Sequence, residues 1–226
     1  MRPRGLPGPL TSVLQLETGA DLRVRNESSA TAAVFVNGGT AKPVAGTWSA
    51  TSELLATELA PRFPDVAFAE VRYRVKTWHA LDSCMADARA ALDVLDRPSL
   101  LVGFSMGGAV SIGVAEHPGA TAVLGLAPWI PDRLPLGGLR GKRLDVLHGA
   151  WDRWLPGIPG VSPASSRSGF ERAQRLGVEG SYRLIPRGLH GAAVRRRGGA
   201  LVRLPQADAW VDGVRERVEH LCAETK

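Results

Sequence analysis

The stretch that decides the fold is residues 99–108, Ser-Leu-Leu-Val-Gly-Phe-Ser-Met-Gly-Gly. Its first six residues have the length and apolarity of a buried parallel strand. Small and apolar residues follow through Ala115 and are typical of a helix that packs closely on a sheet. A G-x-S-x-G pattern between a strand and a helix predicts a sharp turn that raises Ser105 above the end of the sheet as a candidate nucleophile.

Two glycines and the predicted helix suit Ser105 to that role. Strained backbone at Ser105 brings the neighbouring chain close, and a side chain at Gly103 or Gly107 would collide with it. The helix would direct its first N–H groups towards Ser105, where negative charge develops during acyl transfer. An ordinary turn is the alternative, because a chain with 26 glycines produces such spacings by accident. The strand–turn–helix context favours the nucleophile.

Length and composition bound the class of protein. The chain has 226 residues, of which 44% are hydrophobic and 22% charged, which predicts one globular domain over residues 1–226. Its two cysteines lack disulfide or metal-ligand spacing, and we expect no metal and no cofactor. The N-terminus lacks the apolar run of a signal peptide, and no segment has the apolar length of a membrane span. We therefore expect a soluble, cytoplasmic protein without a membrane partner.

A formal net charge of +6 raises nucleic acid as a partner. The arginines are scattered, however, and the one cluster, Arg195-Arg196-Arg197, lies between glycines without interleaved aromatic residues. This pattern favours a solvated loop over a phosphate-binding patch. We expect no nucleic-acid partner.

Strand-like and helix-like segments alternate along the chain. Predicted strands cover residues 13–17, 21–25, 31–36, 66–71, 99–104, 121–126, 143–147 and 181–185, and predicted helices cover 47–59, 80–95, 109–115, 165–176 and 206–221. The alternation predicts an α/β fold with a mostly parallel central sheet and helices on both faces. The first two strands form a hairpin, so that residues 1–27 extend the sheet. Active groups in such sheets gather at the carboxyl ends of the strands.

A serine hydroxyl needs a base, and the base needs a carboxylate to orient it. Asp152 follows the strand 143–147, and His190 follows the last strand between flanking glycines. The chain order Ser105, Asp152, His190 is that of acyl-transfer enzymes with this turn.

Other acids and histidines fit this chemistry less well. Asp145 lies within a strand, and Asp132 follows a different strand. His148 is the main competitor for the base, but it belongs to the turn of the acid and suits a structural role. The remaining histidines lie near helix ends or in the last helix: His79, His117 and His220.

Two backbone amides are candidates for an oxyanion hole. One belongs to Met106, directly after the serine, and the other to the loop after the strand 31–36. In that loop we favour Gly39, with Thr40 as the alternative.

Taken together, these motifs resemble the α/β-hydrolase-fold serine hydrolases, and among them the small lidless esterases grouped with dienelactone-hydrolase-like proteins. The resemblance covers nearly the whole chain and implies that Ser105 is the nucleophile, Asp152 the acid and His190 the base, acting on a small ester or thioester. The motifs that carry it are TAAVFVNGGT (31–40), GFSMGG (103–108), HGAWDRWLP (148–156) and GLHG (188–191).

The chain departs from this family at two positions. Asn37-Gly38 stands where members often carry His-Gly, and Phe104 stands where a histidine often precedes the serine. Dienelactone hydrolases proper use a cysteine nucleophile, so Ser105 argues against that specific reaction.

The surroundings of the site set the remaining expectations. The Pro-rich link 127–141 leaves no room for a lid domain. Trp129, Trp151 and Trp154 lie on loops at the active edge and form either an apolar substrate pocket or a cap on the core. Two rival functions stay open: an acyltransferase or thioesterase that acts on carrier-bound acyl chains, and a binding protein that keeps the fold without chemistry.

Overall fold

The computed structural model of the chain describes residues 11–152 and 160–224. The strands within these ranges are β1 (Thr11–Gln15), β2 (Asp21–Arg25), β3 (Thr31–Val36), β4 (Val44–Ala45), β5 (Val66–Arg72), β6 (Val75–Lys76), β7 (Ser99–Phe104), β8 (Ala120–Leu126), β9 (Arg143–Gly149), β10 (Tyr182–Ile185), β11 (Ala193–Arg195) and β12 (Leu201–Arg203). The helices are α1 (Ala50–Leu59), α2 (Leu81–Leu95), α3 (Met106–Gly113), α4 (Pro163–Gln174) and α5 (Ala207–Glu224), with 3₁₀ turns at Ala60–Arg62 and Gly137–Leu139.

Eight strands form the central sheet, in the order β1-β2-β5-β3-β7-β8-β9-β10. The six strands from β5 to β10 in that order are parallel, and β1 and β2 form an antiparallel hairpin that joins the sheet along β5. The predicted α/β class with a mostly parallel sheet is confirmed.

Helices cover both faces of this sheet because its central strands are apolar on both sides. All six residues of β3 are buried. Successive side chains alternate between two hydrophobic clusters: Val34 packs with α2, α3 and α4 on one face, and Phe35 packs with α1 and α5 on the other.

The strand order reverses at β3, and this reversal locates the crevice of the sheet. From β3 the chain moves outward to β5 and then returns to β7 on the opposite side of β3. Loops leaving the carboxyl ends of two such strands diverge and leave a crevice between them. By this rule a ligand site is expected at the loop after Val36 and the turn after Phe104, whose strands are paired at Val36 and Gly103.

Helix starts differ from the prediction by a few residues because side-chain caps set them. The helix predicted at 47–59 begins at Ala50, since the Ser49 hydroxyl accepts a hydrogen bond from the Ser52 amide at 3.2 Å. The helix predicted at 165–176 begins earlier, at Pro163, where the Ser162 hydroxyl caps it.

The segment after His190 is more ordered than predicted. The interpretation of the arginine cluster as a solvated loop is wrong for Arg195, which closes β11 in a hairpin with β12 and pairs with Glu53 of α1 at 2.9 Å. Arg196 and Arg197 lie exposed in the turn of that hairpin.

Candidate active site

Ser105 occupies a strained turn between β7 and α3. Its backbone has φ 55° and ψ −119°, a combination that costs a non-glycine residue free energy and is found where surrounding contacts enforce it. Its amide donates to the Leu126 carbonyl at 2.9 Å, and its carbonyl accepts from the amides of Gly108 and Trp129, each at 2.9 Å. Neighbouring backbone thus holds the predicted nucleophile in place.

The glycines on either side permit this geometry. A β-carbon at Gly103 would lie 2.4 Å from the Gly107 carbonyl oxygen, and one at Gly107 would lie 2.0 Å from the Val36 carbonyl oxygen. Both distances are far below van der Waals contact, and both obstacles are backbone atoms that a rotamer change cannot move. The G-x-S-x-G spacing is therefore a packing requirement of the turn.

We expect Gly107→Ala to lower the free energy of unfolding by about 2 to 4 kcal/mol, because the methyl group overlaps the Val36 carbonyl. Urea unfolding followed by circular dichroism measures the change as a lower midpoint. Gly137→Ala is the matched control, since nothing lies within 4 Å of its β-carbon position. Equal midpoints for the two variants would contradict the packing argument.

Asp152 and His190 meet above the carboxyl ends of β9 and β10. The Nδ1 atom of His190 lies 2.6 Å from Oδ2 of Asp152, a short charge-assisted hydrogen bond between residues 38 positions apart. Asp152 is 1% exposed, whereas the imidazole keeps some exposure to solvent. The carboxylate thus orients the imidazole from below and leaves its other edge accessible.

Burial alone would raise the pKa of Asp152, but hydrogen bonds from His148 and His190 outweigh it and hold the pKa below its usual range. The His148 bond joins Nε2 to Asp152 Oδ2 at 3.1 Å. Both imidazoles therefore donate to the same carboxylate oxygen. Among the residues that the structure describes, the other oxygen, Oδ1, accepts no hydrogen bond.

His190 also packs beside the turn that carries Ser105. Its ring centroid lies 4.9 Å from that of Phe104, the residue directly before the serine. Within the described ranges no hydrogen bond joins the Ser105 hydroxyl to His190, and both side chains are partly exposed. Catalytic hydrogen bonds are commonly long in unliganded enzymes, so this geometry is compatible with a base that engages the serine when substrate binds.

The backbone amides of Gly39 and Met106, the two candidate oxyanion donors, have no hydrogen-bond partner in the described part of the chain. The two residues are in contact, since a β-carbon at Gly39 would lie 2.2 Å from the Met106 sulfur. Thr40, the alternative, turns its hydroxyl to the Lys42 and Lys76 carbonyls. Gly39 therefore lies against Met106, the first residue of α3.

Asn37 fixes this loop, a role the sequence did not reveal. Its side chain donates to the Thr47 carbonyl at 2.7 Å and accepts from the Gly38 amide at 2.7 Å. Its backbone carbonyl accepts from the Tyr73 hydroxyl at 2.9 Å. The departure from His-Gly at this position therefore keeps a polar side chain that braces the loop next to Gly39.

By sequence, no family model and no curated protein matches the chain. Solved structures do match. A carboxylesterase, Cest-2923 from Lactobacillus plantarum, is 15% identical with a TM-score of 0.65 over 94% of this chain and 97% of its own. A dienelactone hydrolase from Anabaena variabilis is 16% identical with a TM-score of 0.65 over 94% and 98%. XC6422 from Xanthomonas campestris, a serine hydrolase without a lid, is 15% identical with a TM-score of 0.57 over 84% and 88%.

The chain has the α/β-hydrolase fold. At these sequence identities the similarity establishes the fold alone. Any catalytic role has to follow from the side chains of this chain. Over residues 11–152 and 160–224 this α/β-hydrolase fold has no lid domain: the link 127–141 between β8 and β9 holds one short 3₁₀ turn at Gly137–Leu139.

The two described tryptophans of the active edge differ in burial. Trp129 is half-buried and packs against the hydrophobic cluster on the α3 face, as a cap on the core does. Trp151 is 55% exposed and directly precedes Asp152, so it covers no core. Trp154 lies outside the described residues.

Two further properties belong to the described residues of this α/β-hydrolase fold. None of their helices is long and apolar enough to cross a membrane. No group of three or more histidine, cysteine, aspartate or glutamate side chains in this part of the chain is placed to hold a metal ion.

Proposed function

We propose that this protein is a serine hydrolase that cleaves an ester or thioester through an acyl-serine intermediate. The observation that carries the proposal is the 2.6 Å hydrogen bond between His190 Nδ1 and Asp152 Oδ2, beside a serine held at φ 55°. A carboxylate on Nδ1 leaves Nε2 of a neutral imidazole free to accept a proton, which is what a general base for Ser105 requires. The fold shared with a carboxylesterase supports a hydrolase.

The first half-reaction follows from these roles. His190 Nε2 takes the proton of the Ser105 hydroxyl while Oγ forms a bond to the carbonyl carbon of the substrate. The electron pair moves to the carbonyl oxygen, and the amides of Gly39 and Met106 stabilise the resulting negative charge. When the tetrahedral intermediate collapses, the bond to the alcohol or thiol breaks and His190 returns the proton to that leaving group. An acyl-serine remains.

Water completes the cycle by the same route. His190 removes a proton from water as its oxygen attacks the acyl carbon, and the proton then passes to Ser105 Oγ as the acid leaves. Asp152 stays ionised throughout, and its negative charge stabilises the His190 imidazolium that forms twice per cycle. We further propose that the exposed indole of Trp151 gives the acyl or leaving group an apolar surface beside the site.

A fluorophosphonate probe tests the proposal, because it reacts with a serine only when a base activates it. We expect one adduct, located on Ser105 by peptide mass spectrometry. We also expect p-nitrophenyl butyrate to give a burst of nitrophenol, followed by steady turnover.

The rival functions predict different outcomes. An acyltransferase would label at Ser105 but pass the acyl group to an added alcohol or amine in preference to water. A binding protein that only keeps the fold would show neither the adduct nor the burst. The proposal fails if Ser105 stays unlabelled while the protein is folded.

A further inference from the structure

His148 lies outside the proposed triad, yet its imidazole bonds to the same carboxylate oxygen as His190. We propose that His148 is a positioning residue: its Nε2–H fixes Asp152 in the orientation that serves His190 and limits how strongly that carboxylate attracts the His190 proton. The inference rests on the proposed function, since it assigns Asp152 the task of orienting the base.

The neighbours of His148 Nε2 determine which way its hydrogen bonds run. Nε2 lies 3.1 Å from Asp152 Oδ2 and 2.8 Å from the Val161 carbonyl oxygen. A carbonyl oxygen and an ionised carboxylate can only accept, so Nε2 must carry the hydrogen. His148 therefore donates from Nε2 in either protonation state of its ring, and the single hydrogen is shared between the Val161 carbonyl and Asp152 Oδ2.

The other ring nitrogen is held by two hydroxyl groups in series. Nδ1 lies 2.7 Å from the Ser166 hydroxyl, which lies 2.8 Å from the Tyr182 hydroxyl. Nδ1 of the neutral ring has no hydrogen, so Ser166 donates to it, and the Tyr182 hydroxyl can donate to Ser166 Oγ or to the Pro163 carbonyl, each 2.8 Å away. Every hydrogen in the chain then has an acceptor, and the neutral imidazole is fixed with its hydrogen on Nε2.

This network constrains Asp152 more tightly than the triad bond alone would. One carboxylate oxygen receives donors from His148 on β9 and from His190 on its loop, so rotation of the side chain would break both bonds. His148 has no exposed surface, and an imidazole buried without both partners would destabilise the fold. The full pairing of its ring makes the arrangement well defined.

The hydrogen bond from His148 also weakens the attraction between Asp152 and the His190 proton. A carboxylate that shares its charge with two N–H groups pulls less strongly on each of them. Within the described residues, the titratable and charged groups that face this centre are Asp152, His190 and Tyr182, with Arg167 stacked on the Tyr182 ring at 4.1 Å. Loss of the His148 donor would therefore strengthen the hold of Asp152 on the His190 proton.

Two amide variants separate the nitrogens of His148. His148→Gln can present an amide N–H near the position of Nε2 and keep a donor to Asp152. His148→Asn is shorter, so its amide stays near the position of Nδ1, beside Ser166, and the donor to Asp152 is lost. His117→Gln is the control for substituting a histidine hydrogen-bonded to an aspartate, since its partner is Asp93, remote from the site.

We expect His148→Asn to lower kcat roughly 10- to 100-fold with little change in KM, and to move the acid limb of the kcat/KM profile to higher pH. His148→Gln should recover most of the loss, and His117→Gln should match the wild type in both readouts. A folded His148→Asn variant with unchanged kcat and an unchanged acid limb would overturn the inference.

Proton NMR tests the same bond without a substrate. The hydrogen between His190 and Asp152 should give a strongly deshielded resonance in the wild type, shifted further downfield in His148→Asn and restored in His148→Gln. Because this signal needs no turnover, it separates failure of the inference from failure of the proposed hydrolase activity.

If His148→Asn does not fold, Ser166→Ala replaces it, since loss of the Nδ1 partner releases the tautomer and should shift the same resonance. Tyr182→Phe, at the far end of the chain of hydrogen bonds, should shift it less. A His190 resonance that is identical in the wild type and in the folded Ser166→Ala variant would overturn the inference.

Discussion

Replacing Ser105 with alanine is expected to lower kcat by roughly 10⁴- to 10⁶-fold and to abolish labelling by a fluorophosphonate. The substitution removes the hydroxyl oxygen that we propose forms the covalent bond to the substrate, and it leaves the proposed oxyanion amides of Gly39 and Met106 in place. Stability should change little, because alanine carries the same β-carbon into the φ 55° conformation as serine does. Backbone hydrogen bonds to Leu126, Gly108 and Trp129 hold that conformation without the hydroxyl.

The measurement compares single-turnover and steady-state hydrolysis of p-nitrophenyl butyrate by the two proteins. Ser111→Ala is the matched control, since it deletes a hydroxyl from α3, the helix that directly follows Ser105, and that hydroxyl has no partner within the described ranges. It should leave kcat at the wild-type value. Residual labelling or a burst in Ser105→Ala would show that another residue is the nucleophile.

The sequence predicted the fold well because the central strands are buried on both faces. Such strands appear as continuous apolar runs, as TAAVFV and SLLVGF do, and helices of matching amphipathic spacing lie between them. The turn at Ser105 was equally visible, since its glycines are required by local backbone contacts. Local sequence therefore carried both the class of fold and the position of the candidate nucleophile.

Features that depend on polar contacts between distant residues were not visible in this way. The β11–β12 hairpin is short and half-exposed, and Thr51 of α1 anchors its base by accepting hydrogen bonds from the amides of Ala192 and Ala193. Asn37 braces its loop through Thr47 and Tyr73. No local periodicity reports such bonds, because each joins segments whose meeting is decided by the packing of the whole sheet.

His148 shows the same limit within the site. The sequence places His148 four residues before Asp152. His148 lies near the end of strand β9, however, and in a strand a spacing of four residues implies no particular side-chain contact. Only the packing of α4 and β10 on β9 brings Ser166 and Tyr182 to its other nitrogen. The order of residues along the chain was enough to select a candidate acid and a candidate base. The hydrogen bonds that set their protonation form only in the folded protein.

Asp152→Asn is expected to lower kcat by roughly 10³- to 10⁴-fold while the protein stays folded. The amide oxygen can accept from His148 and His190 in place of Oδ2, but it carries no charge to stabilise the imidazolium that forms during each half-reaction. The amide N–H group can instead turn towards Nδ1 and donate to it, which favours the His190 tautomer with hydrogen on Nε2, so a fraction of the imidazole cannot accept a proton from Ser105. KM should change little, since Asp152 is buried and has no direct access to substrate.

The pH dependence of this loss distinguishes a charge effect from a packing effect. Because hydrogen bonds from His148 and His190 hold the pKa of Asp152 below its usual range, the wild-type carboxylate is ionised from about pH 5 to 9. The deficit of Asp152→Asn should therefore be present throughout that range. Asp132 is exposed and is the weaker candidate for the catalytic acid in the sequence. The control variant Asp132→Asn should therefore retain full activity. If Asp152→Asn kept kcat within tenfold of the wild type, the carboxylate would have no catalytic part, and the 2.6 Å bond to His190 would be a structural contact alone.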